Sequence, residues 1–129
     1  MNTNSKKIVT IIILAACLVI VGSQNNQVEA ADYYVGTFRI SGATSYIMTE
    51  TIRRTSETTY EANLKAVFPS GKVQIIHYYF DNGDDMGNVD FRNSDGNRGS
   101  FPYYRYGHKY PVSEKYPIEY KMYEYIVNH

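Results

Sequence analysis

The 129-residue chain has no tryptophan, a single cysteine and four prolines. The cysteine, Cys17, sits inside an apolar N-terminal run. The remainder can therefore form no disulfide, and a packed hydrophobic core must hold the fold. Once that run is removed, thiol catalysis is excluded as well. Neither sign of charge dominates: 13 Lys and Arg face 13 Asp and Glu. That balance argues against nucleic acid and against an anionic membrane surface as the main partner. No long charge run, low-complexity tract or internal repeat is present. The G-x-S-x-G, H-E-x-x-H, P-loop and Rossmann glycine patterns are missing too. His77, His108 and the terminal His129 are too scattered to read as a metal set. No cofactor or metal is expected, and no enzyme activity.

What is present begins with an export signal. Lys6 and Lys7 give a short positive region, Ile8 to Val21 an apolar run of 14 residues, and Gly22 to Ala30 a polar stretch ending in "VEA". Val28 and Ala30 occupy −3 and −1 of a cut between Ala30 and Ala31, the pattern of a signal peptide. As a helix the apolar run covers about 21 Å, short of the roughly 30 Å hydrocarbon core, so no stable span is expected after processing. The alternative is "LAAC", Leu14 to Cys17, read as a lipobox with a lipid anchor on Cys17. Against it, "LVIV" continues the apolar core past the cysteine. The predicted product is one domain, Ala31 to His129, secreted or held in the cell envelope or periplasm.

All 14 tyrosines and all five phenylalanines fall in that domain. Aromatic and β-branched enrichment fits a pleated, half-buried surface. Most of the tyrosines are expected to pack on a sheet with hydroxyls at its rim; a Tyr-rich face binding glycan or protein is the sharper reading. Strands are predicted at Tyr33 to Ile40, Ser45 to Arg54, Thr59 to Phe68, Lys72 to Phe80, Asn88 to Arg92 and Gly99 to Tyr106. The second groups Tyr46, Met48 and Ile52 on one parity. The third alternates most cleanly, with Tyr60, Ala62, Leu64, Ala66 and Phe68 on one parity. The fourth, "KVQIIHYYF", is apolar on both parities, as a strand covered on both faces would be. Pro102 assigns the last strand to a sheet edge.

Five aspartates between Asp81 and Asp95 make "DNGDDMGNVDFRNSDG" the most site-like stretch. EF-hand spacing fails: with Gly96 at position 6, position 1 is Phe91 and position 12 is Pro102. An irregular calcium loop is the remaining metal reading. Turn chemistry accounts for the residues without an ion, because Asx side chains cap turn backbone. "PSGK" (Pro69 to Lys72) reads as a tight turn, and Asn82–Gly83 and Asp95–Gly96 as hairpin turns.

The C-terminal segment "KYPIEYKMYEYIVNH" switches period. Pro117 suits the first helical position, Glu119 the first turn, and Ile118, Met122 and Ile126 recur at helical spacing. Period two fits parts of it as well. A helix is predicted, its task to cover one sheet face. The fold class that follows is mainly β (α+β): one antiparallel, bent sheet of five or six strands with a C-terminal helix packed on one face.

The aromatic-Val opening, "SYIMTETIRR", the alternating third strand, "VDFRNSDG" and the late "PIEYKMYEYI" together resemble the bacterial surface-adhesin protein E family. The resemblance implies an exported domain with a bent antiparallel sheet, a C-terminal helix lying on it, and adhesion to host matrix proteins. Two departures stand out. The family's cysteines tying helix to sheet have no counterpart, and Tyr33 or Tyr34 replaces the opening tryptophan.

The functional expectation is a non-catalytic, adhesin-like module for an extracellular protein or glycan. Its candidate binding residues are Tyr103, Tyr104, Arg105, Tyr106, His108 and Tyr110, since interleaved Tyr, Arg and His is hot-spot composition. Alternatives are a secreted inhibitor of an extracellular hydrolase, and a small hydrolase with an unrecognised site. In that last case Asp84 or Asp85 would pair with Glu50 or Glu61, though nothing in the spacing selects them.

Overall fold

A computed structural model describes residues 31–129. The expected signal segment and Cys17 lie outside the described residues. Six strands form one curled antiparallel sheet in the order β1-β2-β3-β4-β5-β6: β1 Tyr33–Thr37, β2 Thr44–Arg54, β3 Thr59–Val67, β4 Val73–Asp81, β5 Asn88–Asn93 and β6 Arg98–Pro102. Every neighbour in space is a neighbour in sequence. A two-stranded hairpin, β7 Tyr104–Arg105 with β8 His108–Lys109, follows, and then helix α1, Pro117–Asn128. The predicted class holds. Among the described residues no helix is long and apolar enough to cross a membrane.

The period-two strand predicted at Thr59 to Phe68 buries Ala62, Leu64 and Ala66, with Tyr60 and Phe68 packed at the margins. Helix α1 starts at Pro117, as expected, and buries Ile118, Met122 and Ile126. With Tyr120 and Tyr123 these side chains meet Val35, Ile47, Ile76, Phe80 and Phe101 in one core. Aromatic rings dominate the contact: Phe101 lies 5.6 Å from Tyr120 and Phe80 5.8 Å from Tyr123. The buried tyrosines keep their hydroxyls bonded, as such groups must. Tyr78 donates to Glu119 at 2.7 Å, Tyr123 accepts from Asn82 at 2.7 Å, and Tyr120 donates to the Tyr110 carbonyl.

Several expectations need correction, among them the first strand, which ends at Thr37 rather than Ile40. In β2 the core residues are Ser45 and Ile47, not the parity of Tyr46 and Met48. Between Met48 and Arg53 the strand carries three more residues than β3 opposite, a bulge tied by Thr51, whose hydroxyl accepts the Asn63 N–H at 2.8 Å. An odd insertion flips the parity, which brings Ile52 to the core side. In β4 only Ile76, Tyr78 and Phe80 are buried, while Val73 and Ile75 are exposed. Among the described residues there is one helix, and it covers one face. Finally, the strand predicted to run to Tyr106 ends at Pro102, whose missing N–H cannot continue the ladder.

Of the turns, Pro69 sits at the first central position, with the Gly71 N–H bonded to the Phe68 carbonyl. Asp95–Gly96 closes the β5–β6 hairpin, with Gly96 at φ +86°. Asn82–Gly83 forms no two-residue hairpin turn. The Asn82 N–H bonds the Thr58 carbonyl and its amide reaches Tyr123, so the chain swings out into a loop from Asn82 to Gly87.

Candidate functional site

The six candidate binding residues divide into anchors and tip. Tyr103 turns inward, its ring 4.8 Å from Tyr123 and 5.4 Å from Tyr120. Burial and the nearby Glu124 carboxylate raise its hydroxyl pKa. Tyr110 is half-buried; its N–H bonds the Tyr103 carbonyl at 2.7 Å and its own carbonyl takes the Tyr120 hydroxyl. These bonds close the base of the β7–β8 hairpin against the helix. Lys109 adds an ion pair to Glu124 of α1, and that carboxylate holds its ammonium above the usual value.

At the tip are Tyr104, Arg105, Tyr106 and His108. Tyr104 is 54 % and Tyr106 81 % exposed. Arg105 pairs with His108 across the hairpin, and its guanidinium lies 4.7 Å from the Tyr106 ring centre. The turn residues Tyr106 and Gly107 have φ of +54° and +77°, the two positive angles of a type I′ turn. Glycine fits such a position. A tyrosine with an ordinary Cβ costs about 1–2 kcal/mol there. With Tyr106 81 % exposed, little burial offsets that strain.

The aspartate loop lies beside this tip. The Gly87 carbonyl accepts the N–H groups of Tyr103 and Tyr104, at 3.0 and 3.3 Å. A Cβ on Gly87, which has φ +83°, would come 2.2 Å from the Tyr104 carbonyl oxygen. Only glycine allows the two segments to meet. The Arg105 guanidinium contacts the Met86 sulfur at 3.9 Å. Together they enclose a cleft of about 640 Å³, with Asn82, Asp84, Asp85 and Asn88 facing Tyr104, Arg105 and Tyr106. In the sequence these stretches read as separate; the signal that could have joined them was Gly87 itself, placed four residues past the Asn82–Gly83 pair.

Two of the five aspartates cap turn backbone: Asp81 accepts the Gly83 N–H at 2.8 Å and Asp84 the Met86 N–H at 2.5 Å. Asp95 instead accepts from the Gln74 side-chain amide at 3.0 Å. Among the described residues no group of three or more His, Cys, Asp or Glu is placed to hold a metal ion. Glu50 and Glu61 line no part of the cleft holding Asp84 and Asp85. Instead Glu61 accepts from His77 Nε2 at 2.9 Å while Asn63 meets His77 Nδ1 at 2.5 Å. With both ring nitrogens bonded to β3, His77 is a strand-to-strand clamp on the open sheet face. Comparison of the chain with known protein families, with curated proteins and with solved structures returns no match.

Proposed function

We propose that this protein is a non-catalytic, adhesin-like binding module. Its contact surface is the hairpin tip Tyr104 to His108 together with the adjoining aspartate loop, and its partner is an extracellular protein. The observation that carries this reading is Tyr106: an aromatic side chain held in a strained backbone conformation and presented almost wholly to solvent. Tyr and Arg dominate interface hot spots, since each offers a large contact area at low entropy cost. Asp84, Asp85 and Arg105 bring both signs of charge to the rim, suiting a polar protein surface better than a uniformly charged polymer. The rigid base, fixed to the helix and to Gly87, lets the tip bind without prior ordering.

The test is capture from a panel of immobilised extracellular matrix proteins and glycans, using the wild type and a Tyr104/Arg105/Tyr106 triple alanine variant. All three side chains are at least partly exposed, so the variant keeps its melting temperature. Loss of protein capture supports the reading. Undiminished capture rejects this patch, and capture only by glycans replaces the partner class. A second reading, inhibition of an extracellular hydrolase, draws on the same feature, because an exposed two-residue turn has the shape to enter a cleft. Dose-dependent loss of protease or glycosidase turnover, abolished in the triple variant, would select it.

A further inference from the structure

The cavity where α1 begins is separate from the hairpin. It has a volume of about 730 Å³ and lies among the β1–β2 turn, the β5–β6 hairpin and the segment from Glu114 to Glu119. That is within the 300–1,000 Å³ of small-molecule sites. We propose that it binds an amphipathic anion, an acyl or aryl carboxylate, whose apolar body enters between Phe38 and Ile118 and whose head rests on Arg39 and Arg98.

Three observations carry this. The first is the lining. Phe91 and Ile118, core residues only 5 % and 4 % exposed, form part of the wall, so the cavity opens onto the end of the hydrophobic core. Ile40 stands at its lip fully exposed, a large apolar side chain in a turn with nothing to cover it.

The second is charge. Arg39, Arg98 and Lys115 line the cavity against one acid at the rim, Glu114. The ion pairs formed among the described residues engage Lys65, His77 and Lys109, leaving the guanidiniums of Arg39 and Arg98 without a carboxylate. A guanidinium fork matches a carboxylate with two parallel hydrogen bonds.

The third is the remaining acid. Glu119 lines the same cavity, buried, with its carboxyl bonded to Tyr78. Burial raises its pKa, which favours the neutral form and lowers its repulsion of an incoming anion. The inference is independent of the hairpin reading, since the two sites share no residue.

The experiment is isothermal titration of the purified protein with dodecanoate below its micelle concentration. Acetate and dodecyltrimethylammonium serve as head-only and charge-reversed controls, and phosphatidylglycerol vesicles test a membrane source of the same chemistry. One dodecanoate should bind per chain, with both controls weaker by tenfold or more. The Arg39→Ala/Arg98→Ala variant, altered only at exposed residues, should melt as the wild type does and bind on the order of tenfold more weakly. The triple alanine hairpin variant should bind dodecanoate normally. Absence of saturable binding overturns the proposal. So does equal binding of the cationic analogue, undiminished binding by the double arginine variant, loss in the hairpin variant, or binding to vesicles alone.

Discussion

Removing the Tyr78 hydroxyl should weaken the fold more at a pH above the folded-state pKa of Glu119 than below it. Tyr78 is 1 % and Glu119 8 % exposed, and the hydroxyl donates to the carboxylate at 2.7 Å. Burial is the main influence on Glu119 and raises its pKa above the ordinary 4.5, while the Tyr78 bond acts in the opposite direction. A carboxyl with a raised folded-state pKa binds its proton more tightly folded than unfolded. Its contribution to stability is complete below the ordinary carboxylate range and is lost as pH rises through the folded value. Above that folded value the carboxylate is charged, and Tyr78→Phe deletes a charge-assisted bond contributing about 1.5–3 kcal/mol. Near pH 4 the same substitution deletes a bond between neutral groups, about 0.5–1.5 kcal/mol. For a domain of this size 1 kcal/mol moves the melting temperature by about 4–8 °C, so a loss of about 2 kcal/mol lowers it by roughly 8–16 °C above the folded-state pKa of Glu119 and about half that at pH 4. Glu119→Gln provides the converse: the amide still accepts from Tyr78 but cannot ionise, so its stability relative to wild type should grow between pH 4 and 7. Thermal melts across that range, followed by far-UV circular dichroism, measure both. Equal losses for Tyr78→Phe at the two pH values, or parallel wild-type and Glu119→Gln profiles, would refute the account.

Three further outcomes follow from single positions. Gly87→Ala places a Cβ against the Tyr104 carbonyl at a positive φ; urea unfolding should show a loss of about 3 kcal/mol. Tyr106→Asn, which suits the left-handed turn, should stabilise by about 0.5–1 kcal/mol while partner capture falls, separating fold from binding at one residue. Ser45 is 0 % exposed and its hydroxyl has no hydrogen-bond partner among the described residues. Ser45→Ala should therefore stabilise by about 1 kcal/mol, seen as a higher urea midpoint at unchanged slope.

Six strands and the closing helix were legible because each is written in local pattern: alternation in Thr59 to Phe68, Pro117 opening an apolar stripe of Ile118, Met122 and Ile126. The errors came where a tertiary contact outweighed that pattern. Asn82–Gly83 has the best hairpin dipeptide in the chain, yet Thr58 and Tyr123 take the hydrogen bonds of Asn82 and open the turn. β2 departs from simple alternation because a bulge depends on what lies across the ladder, which β2 alone does not encode. Both parities of "KVQIIHYYF" are apolar, but how many faces are covered depends on the rest of the chain.

By itself the sequence determined the class of fold, the edge position of the proline-bearing strand and the absence of disulfides in the domain, because these follow from side-chain period, a missing N–H and a missing thiol. It also marked the Tyr-Arg-His segment as the one to watch. Only the tertiary structure decided that Tyr103 and Tyr110 face inward and Tyr106 outward, that Gly87 brings the aspartate loop to the hairpin, and that Arg39 and Arg98 line one cavity. Those juxtapositions join residues from roughly 15 to nearly 60 positions apart. The physical reason is that a periodicity is read within one strand or helix, whereas a site is made where several elements converge after folding.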